Sequence, residues 1–189
     1  MKVTIHQPEH FPYMGFFQKM EAADLFVILD DVQYTKNNFQ NRNKFLNKNG
    51  VDEWFTIELE QHANSKLIKD VMVSSNPKWK RTILNKMQIN FKEDFSDIYS
   101  YEKLVDINIS SIEYCRTKLG ISTPMVRSSE LGISTTSSQR LADICKHFNA
   151  TEYISGAGGV DYLDESVFDC KVTYFKPQVS NYYTALQNL

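Results

Sequence analysis

An unbroken apolar run of strand length, Leu25-Phe26-Val27-Ile28-Leu29, is the feature that most constrains how this chain can fold. Runs without polar alternation are typical of parallel strands, because helices cover such strands on both faces. A first strand, Val3 to Ile5, and a helix that opens at Gly15 precede the run. The short connection predicts a right-handed strand-helix-strand unit in which the two strands pair in parallel.

Further helices and strands alternate along the rest of the chain. Asn76-Pro77 predicts the start of a helix, because Asn is a favoured cap and Pro suits the first turn. Asn49-Gly50 favours a turn, so we expect an antiparallel hairpin excursion around 40–73. We predict one α/β domain over 1–189, with a largely parallel, Rossmann-like or nucleotidyltransferase-like sheet flanked by helices. The other expected elements are a helix over 101–119, a strand over 123–127, a helix from Ser137, strands over 151–154 and 171–175, and a short helix over 161–168.

The charge balance and the cysteine pattern indicate which kinds of partner and which cellular compartment to expect. Lys and Arg number 21 and Asp and Glu number 23, so a net charge of −2 gives no basic field for long nucleic acid. The 3 cysteines form no C-x-x-C pair, and reduced cytosolic thiols are the expected state. We find no signal-like apolar segment and no stretch of about 20 apolar residues. We expect a cytoplasmic protein without a transmembrane segment that acts on a small molecule, and oligomerisation stays open.

Polar side chains follow the first two predicted strands at the points where they end. His6 follows the first strand, and Asp30 and Asp31 follow the second. Ligands of open α/β sheets bind in the crevice at the carboxyl ends of the strands. An imidazole there can act as a general base, and a carboxylate can hold an ammonium group, hold a divalent metal or take a proton. We predict His6, Asp30 and Asp31 as catalytic residues, and the pattern does not say which aspartate faces the site.

A polar stretch behind the second strand supplies candidate substrate contacts. The guanidinium of Arg42 suits carboxylate or phosphate, and Lys36 adds a second cation. Amide side chains can bind sugar hydroxyls. The alternative interpretation of this stretch is a polar hairpin at the protein surface. The predicted substrate-binding residues of this half of the chain are Gln7, Gln33, Tyr34, Lys36, Gln40, Asn41 and Arg42.

A glycine-rich segment follows the strand over 151–154. Ser155, Gly156, Gly158 and Gly159 let the backbone approach a ligand closely, and consecutive N–H groups can cradle an anion. The segment is not a P-loop, because no Lys-Ser or Lys-Thr follows it. The alternative interpretation of this segment is a tight turn without a ligand-binding role. We include Tyr162 with these residues as substrate-binding; no metal ligand is predicted, and the cofactor stays open.

Twelve short segments, spread in order over nearly the whole chain, match one known family. They are His6-Gln7-Pro8, Pro12, Gly15-Phe16-Phe17, Asp30-Asp31-Val32-Gln33-Tyr34, Lys36, Gln40-Asn41-Arg42-Asn43, Ser128-Ser129-Glu130-Leu131, Arg140-Leu141, Ile144-Cys145, Ser155-Gly156, Gly158-Gly159 and Tyr162-Leu163-Asp164-Glu165. In these segments the chain resembles the WbqC-like protein family. It departs at His10, where the family more often has an aromatic residue. Members usually continue past a segment like Pro177-Gln178, which leaves open a truncation at the C-terminus.

The resemblance implies a role in making bacterial surface polysaccharide. Members of the family occur in O-antigen gene clusters, and a glycine transferase role has been suggested for them. On this basis we expect a transferase that adds glycine or another aminoacyl group to an amino-sugar nucleotide. One alternative is a nucleotide-binding enzyme like the nucleotidyltransferases, which rests on fold-level analogy. Another is a non-catalytic module that binds sugar nucleotides.

Overall fold

The computed structural model describes residues 1–189, and the chain divides into two compact units built from separate segments. The sheet unit comprises Met1–Gln7, Gly15–Asp30 and Ile121–Ser180. The hairpin unit comprises Pro8–Met14, Asp31–Gly120 and Asn181–Leu189. The expectation of a single domain stays a prediction.

Seven strands and four α-helices make up the regular structure. The strands are β1 (Lys2–His6), β2 (Leu25–Ile28), β3 (Arg42–Leu46), β4 (Asp52–Thr56), β5 (Met125–Arg127), β6 (Glu152–Gly156) and β7 (Lys171–Phe175). The helices are α1 (Met14–Glu21), α2 (Lys78–Phe91), α3 (Leu104–Lys118) and α4 (Ser137–His147). Around the predicted helix over 161–168, the chain instead forms two separate 3-10 turns, Ala157–Asp161 and Glu165–Val167.

The sheet unit contains a five-stranded parallel sheet in the order β5-β2-β1-β6-β7. The chain moves from β1 to β2 and then to β5 on one side, whereas β6 and β7 lie on the other side of β1. The strand order therefore reverses between β1 and β6, and such a reversal is the topological switch point at which α/β proteins bind ligands. The parallel sheet confirms the predicted α/β class.

Apolar packing on both sides of the strands explains why the central run contains no polar residue. All four residues of β2 are buried, as expected for a parallel strand that is covered on both faces. Val3 and Ile5 of β1 and Val27 of β2 join one core cluster with Ile144 and Cys145 of α4. The spacing of these last two residues places them on the inward side of an amphipathic helix.

The hairpin unit contains the predicted antiparallel excursion. β3 and β4 pair antiparallel, with Arg42 opposite Thr56, and Gly50 in the turn has a φ of +73° that favours glycine. Isolated bridges, Gln33 to Leu67 and Leu59 to Val73, continue antiparallel pairing beyond the hairpin. The prediction of a hairpin around 40–73 is therefore confirmed.

The helices of the hairpin unit begin and end at the predicted signals. The side chain of Asn76 accepts a hydrogen bond from the Lys78 N–H at the start of α2 (3.1 Å). Gly120, with a φ of +71°, follows the end of α3. The longest helix, α3, has 15 residues, and no helix is both long and apolar enough to cross a bilayer.

Candidate functional site

The carboxyl edge of the sheet unit collects the ends of four strands that carry polar residues. β1 ends at His6 and β6 ends at Gly156, on either side of the switch point. The pairing of Thr4 with Ile154 sets the register, so that His6 lies level with Gly156. His6 also pairs with Ile28, two residues before Asp30. The sheet therefore brings His6, Asp30 and the start of the glycine-rich segment to one edge.

His6 is held as a neutral imidazole with a defined tautomer. Its Nδ1 lies 2.9 Å from the carbonyl oxygen of Gln7, which can only accept, so Nδ1 carries the hydrogen. Burial, followed by the positive charge of Lys19, lowers the pKa of His6 to about 3, although the Gln7 carbonyl acts in the opposite direction. At neutral pH the remaining ring nitrogen, Nε2, is therefore an acceptor with a lone pair.

Lys19 is a residue of this edge that the sequence analysis did not select. It lies on α1, is almost fully buried, and its Nζ donates to the carbonyl of Ile5, the residue before His6 (3.3 Å). Phe16 and Met20, at positions i−3 and i+1, are also buried. A lysine within the apolar stripe of a short helix was the signal that could have identified it, because lysine is rarely buried without a specific partner.

Asp30 is a fully buried carboxylate whose hydrogen bonds join the ends of two strands. Its oxygens accept from Nε of Arg127 at 2.7 Å, and from both the N–H (3.0 Å) and the hydroxyl (2.9 Å) of Ser129. Ser128 adds a longer contact of 3.3 Å. These contacts fix the orientation of Arg127. Arg127 was missed because its role depends on a partner that is 97 positions away.

The glycine-rich segment leads directly from β6 into a 3-10 turn. A Cβ at Gly159 would lie 2.2 Å from Oγ of buried Ser155, so a larger residue at this position would force Ser155 to move. Gly156 and Gly158 face open space, and Tyr162, which follows the turn, is 71% exposed. Open backbone at the carboxyl edge is compatible with the predicted approach of a ligand, and the binding role of these residues stays a prediction.

The hairpin unit contains a cavity of about 370 Å³ that collects four of the predicted substrate-binding residues. These four are Tyr34, Lys36, Asn41 and Arg42. The chain beyond β4 adds carboxylate, imidazole and amide groups to the lining, and these groups were not predicted from the sequence. The lining residues from that side include Glu58, Glu60, His62 and Asn64.

Hydrogen bonds hold several lining residues of this cavity in place. The Tyr34 hydroxyl donates to Asn41 Oδ1 (2.9 Å), and Asn41 Nδ2 donates to the carbonyl of Ile57 (3.0 Å). Burial raises the pKa of Tyr34, although the charge of Arg42 opposes this effect. Arg42 donates through Nη2 to the carbonyl of Asn37 (2.7 Å). Tyr34 therefore remains a neutral phenol that holds Asn41 in the cavity lining.

The other predicted residues of the hairpin unit organise loops. Gln33 donates through Nε2 to the carbonyl of Asn64 (2.8 Å). Gln40 is buried, and its Oε1 accepts from the N–H of Thr35 (3.1 Å). Asp31 is half-buried. Gln7, in the sheet unit, contributes the carbonyl that binds His6. A direct role of these four side chains toward substrate stays a prediction.

Comparison with known proteins identifies relatives but no solved structure. The chain is 28% identical over 190 residues to the uncharacterized protein Rv1507c of Mycobacterium tuberculosis, an alignment that covers 92% of this chain and 81% of that protein. No solved structure matches the chain. The pattern of the WbqC-like protein family matches residues 7–188. Because this match covers nearly the whole chain, the protein belongs to the WbqC-like protein family.

Proposed function

We propose that the protein is a bacterial, cytoplasmic transferase of surface polysaccharide synthesis that transfers glycine or another aminoacyl group to the amine of an amino-sugar nucleotide. The observation that carries this proposal is His6, a neutral imidazole with an acceptor Nε2 at the switch point of a parallel sheet. The transferase class and the acyl group follow from the resemblance to the family, and His6 supplies the acid-base chemistry that such a transfer needs.

Acyl transfer to an amine requires a group that removes a proton. The amine nitrogen attacks the carbonyl carbon of an activated acyl ester, a C–N bond forms, and the bond to the leaving oxygen breaks. The attacking nitrogen becomes more acidic as the C–N bond forms, and Nε2 of His6 accepts its proton at that stage. The imidazolium then returns the proton to the leaving oxygen.

The low pKa of His6 fits this role once an anionic substrate is present. A pKa of about 3 would make the imidazole a poor base at neutral pH. A diphosphate bound at the carboxyl edge brings negative charge close to the ring, and negative charge raises the pKa of a histidine. The substrate therefore activates the base by its own charge, and the free protein keeps His6 neutral.

An aminoacylation assay with a His6 variant tests the proposal. We expect the protein to convert a UDP- or dTDP-linked amino sugar into its glycyl amide, detected by mass spectrometry, when glycyl-tRNA or glycine with ATP is supplied. His6→Asn is expected to lower kcat by about 10²-fold or more. His147→Gln, at an exposed position of α4, is the matched control and is expected to keep full activity. Full activity of the His6→Asn variant would contradict the proposal.

One alternative is favoured by the position of His6 in the fold. A histidine at the end of the first strand of a parallel sheet also suits a nucleotidyltransferase, in which the imidazole would face the phosphates of ATP or CTP. Thermal-shift measurements separate the two functions, because a ligand at 100 times its Kd stabilises the folded state by about 2.7 kcal/mol. A shift with ATP or CTP alone supports nucleotidyl transfer. A shift with amino-sugar nucleotides that never leads to turnover supports a binding module.

A further inference from the structure

The cavity of the hairpin unit has a strained wall. Asn37 and His62, both lining residues, have φ values of +63° and +61°. This left-handed region is costly for residues other than glycine, and such conformations concentrate at ligand sites. The carbonyl of His62 accepts two hydrogen bonds from Ser65, from its N–H (3.0 Å) and its hydroxyl (2.8 Å), which hold the conformation. Asn and His adopt this region more readily than most residues other than glycine, and the Ser65 contacts hold it at His62.

Opposite charges face this cavity without neutralising each other. Arg42 lies across from Thr56, and Glu58 follows on the same face two residues later, within the diagonal reach of long side chains. No ion pair joins Arg42 to Glu58. Arg42 donates instead to the Asn37 carbonyl (2.7 Å), and Glu58 accepts from the Ser74 hydroxyl (2.9 Å). Lys36 is exposed and forms no ion pair. The lining of the cavity thus contains two cations and a carboxylate that no ion pair neutralises.

The neighbouring carboxylate, Glu60, already has partners within the protein. It binds Nζ of Lys66 at 2.5 Å and accepts from the N–H of Met72 at 3.1 Å. The hydrogen bond from Lys66, followed by that from the Met72 backbone, keeps the pKa of Glu60 below its usual range. Glu58 is therefore the carboxylate of the cavity that is suited to meet a cationic ligand group.

We propose that this cavity binds a sugar that carries both a free amine and a phosphate. Lys36 and Arg42 would bind the phosphate, and Glu58 would bind the ammonium group. A free amino acid shares this pair of charges, but a volume of about 370 Å³ lies in the range of sites for larger ligands and favours a sugar phosphate. This inference rests on the proposed function only in taking an amino sugar as the class of substrate.

Calorimetric binding of small phosphosugars tests the charge pattern. Glucosamine 1-phosphate is expected to bind the whole protein at least 10-fold more tightly than glucose 1-phosphate or N-acetylglucosamine 1-phosphate, which lack the free amine. Glucosamine, which lacks the phosphate, is also expected to bind at least 10-fold more weakly than glucosamine 1-phosphate. Each missing charged group removes a charge-assisted contact of the cavity. Free glycine is expected not to compete, and competition by glycine would instead identify an amino-acid site and overturn the sugar assignment.

Two variants test whether Glu58 contacts the amine of the sugar and whether Lys36 contacts its phosphate. Glu58→Gln is expected to weaken glucosamine 1-phosphate binding at least 10-fold and to leave glucose 1-phosphate unchanged. Lys36→Gln is expected to weaken both ligands equally. Lys48→Gln, in the exposed hairpin turn and outside the cavity, is the control and is expected to change neither. Circular dichroism confirms folding of each variant. Unchanged binding in the folded Glu58→Gln and Lys36→Gln variants would overturn the inference.

The same experiments separate this inference from the proposed function. Calorimetric binding and acyl transfer are separate measurements, so their outcomes can be compared for the same variants. Selective binding in the cavity without any acyl transfer would refute only the proposed function. Acyl transfer by a protein that does not bind glucosamine 1-phosphate selectively would refute only the inference.

Discussion

The carboxylate of Asp30 accepts a hydrogen bond from Nε of Arg127 at 2.7 Å, and this contact joins the ends of β2 and β5. Asp30 is completely buried, whereas the Arg127 side chain is 30% exposed. The buried carboxylate of Asp30 therefore fixes the orientation of Arg127 at the carboxyl edge of the sheet.

Replacement of Asp30 is expected to destabilise the protein. Asp30→Asn removes the charge that pairs with Arg127 and disrupts the acceptors of the Ser129 N–H and hydroxyl. We expect the free energy of unfolding to fall by about 2–4 kcal/mol in urea titrations. Asp169→Asn, at an exposed carboxylate that pairs with Lys146 at 3.5 Å, is the control and is expected to change stability by less than about 0.5 kcal/mol. Unchanged stability of Asp30→Asn with complete loss of activity would make Asp30 a direct participant in the reaction instead.

Acid is expected to destabilise the protein through His10. This side chain is fully buried among aromatic rings, and burial lowers its pKa to about 3. The unfolded chain therefore binds a proton near pH 6.5 that the folded chain excludes. Stability is retained above pH 6.5 and is lost as the pH falls from 6.5 toward 3. We expect His10 to account for about 2–3 kcal/mol of the loss at pH 4.5.

Urea titrations of His10→Phe at pH 7 and pH 4.5 measure this contribution. The variant removes the buried Nδ1, which has no hydrogen-bond partner, and also the hydrogen bond between Nε2 and the Tyr99 hydroxyl (2.9 Å). We expect a loss of about 1–2 kcal/mol at pH 7 and a smaller further loss between pH 7 and pH 4.5 than in the unmodified protein. His147→Gln, at an exposed position, is expected to lose as much stability in acid as the unmodified protein does. An unchanged acid response of His10→Phe would show that His10 is not the group responsible.

Alanine at Gly159 is expected to be costly, unlike alanine at Gly158. The added Cβ would meet Ser155 Oγ at 2.2 Å and Leu163 Cδ1 at 3.0 Å, whereas a Cβ at Gly158 meets open space. We expect Gly159→Ala to lower the melting temperature through a loss of about 1–3 kcal/mol, and Gly158→Ala to keep it. Ser155→Ala in the Gly159→Ala background removes the hydroxyl and is expected to restore part of the stability. Equal melting temperatures for the two glycine variants would contradict this packing.

The charge of Lys19 is expected to contribute to the low pKa of His6. Burial is the larger cause of the low pKa of His6 and the charge of Lys19 is the second, so Lys19→Met should raise that pKa above about 3 and leave it below 6.5. Imidazole NMR signals followed over pH measure the change. Lys146→Met, at a lysine that is 74% exposed, is the control and should have no effect on His6. If His6 titrates near 6.5 in the unmodified protein, burial and Lys19 do not lower its pKa.

Local sequence signals predicted the elements well because their causes are local. The run from Leu25 has strand length and no polar residue, and β2 is buried throughout. Asn76 caps the start of α2, and Gly50 and Gly120 have the positive φ values that their turns require. These outcomes depend on residues within a few positions of each other, so one segment is enough to predict them.

The partners of the functional residues were harder to predict, because they come from distant parts of the chain. Arg127 reaches Asp30 across 97 positions, and Lys19 approaches His6 only after α1 folds back along β1. Glu58 and His62 line a cavity with Lys36 and Arg42 only after β3 and β4 have paired. Composition and spacing contain no information about such long-range contacts.

By itself, the sequence determined the class of the fold, the order of its elements, the hairpin and the placement of His6 and Asp30 at strand ends. Only the tertiary structure decided that Asp30 is buried against Arg127, that His6 is a neutral acceptor, and that opposite charges share one cavity. The physical reason is that hydrophobic periodicity and capping act along the chain, whereas burial, protonation and ion pairing depend on which distant groups surround a side chain.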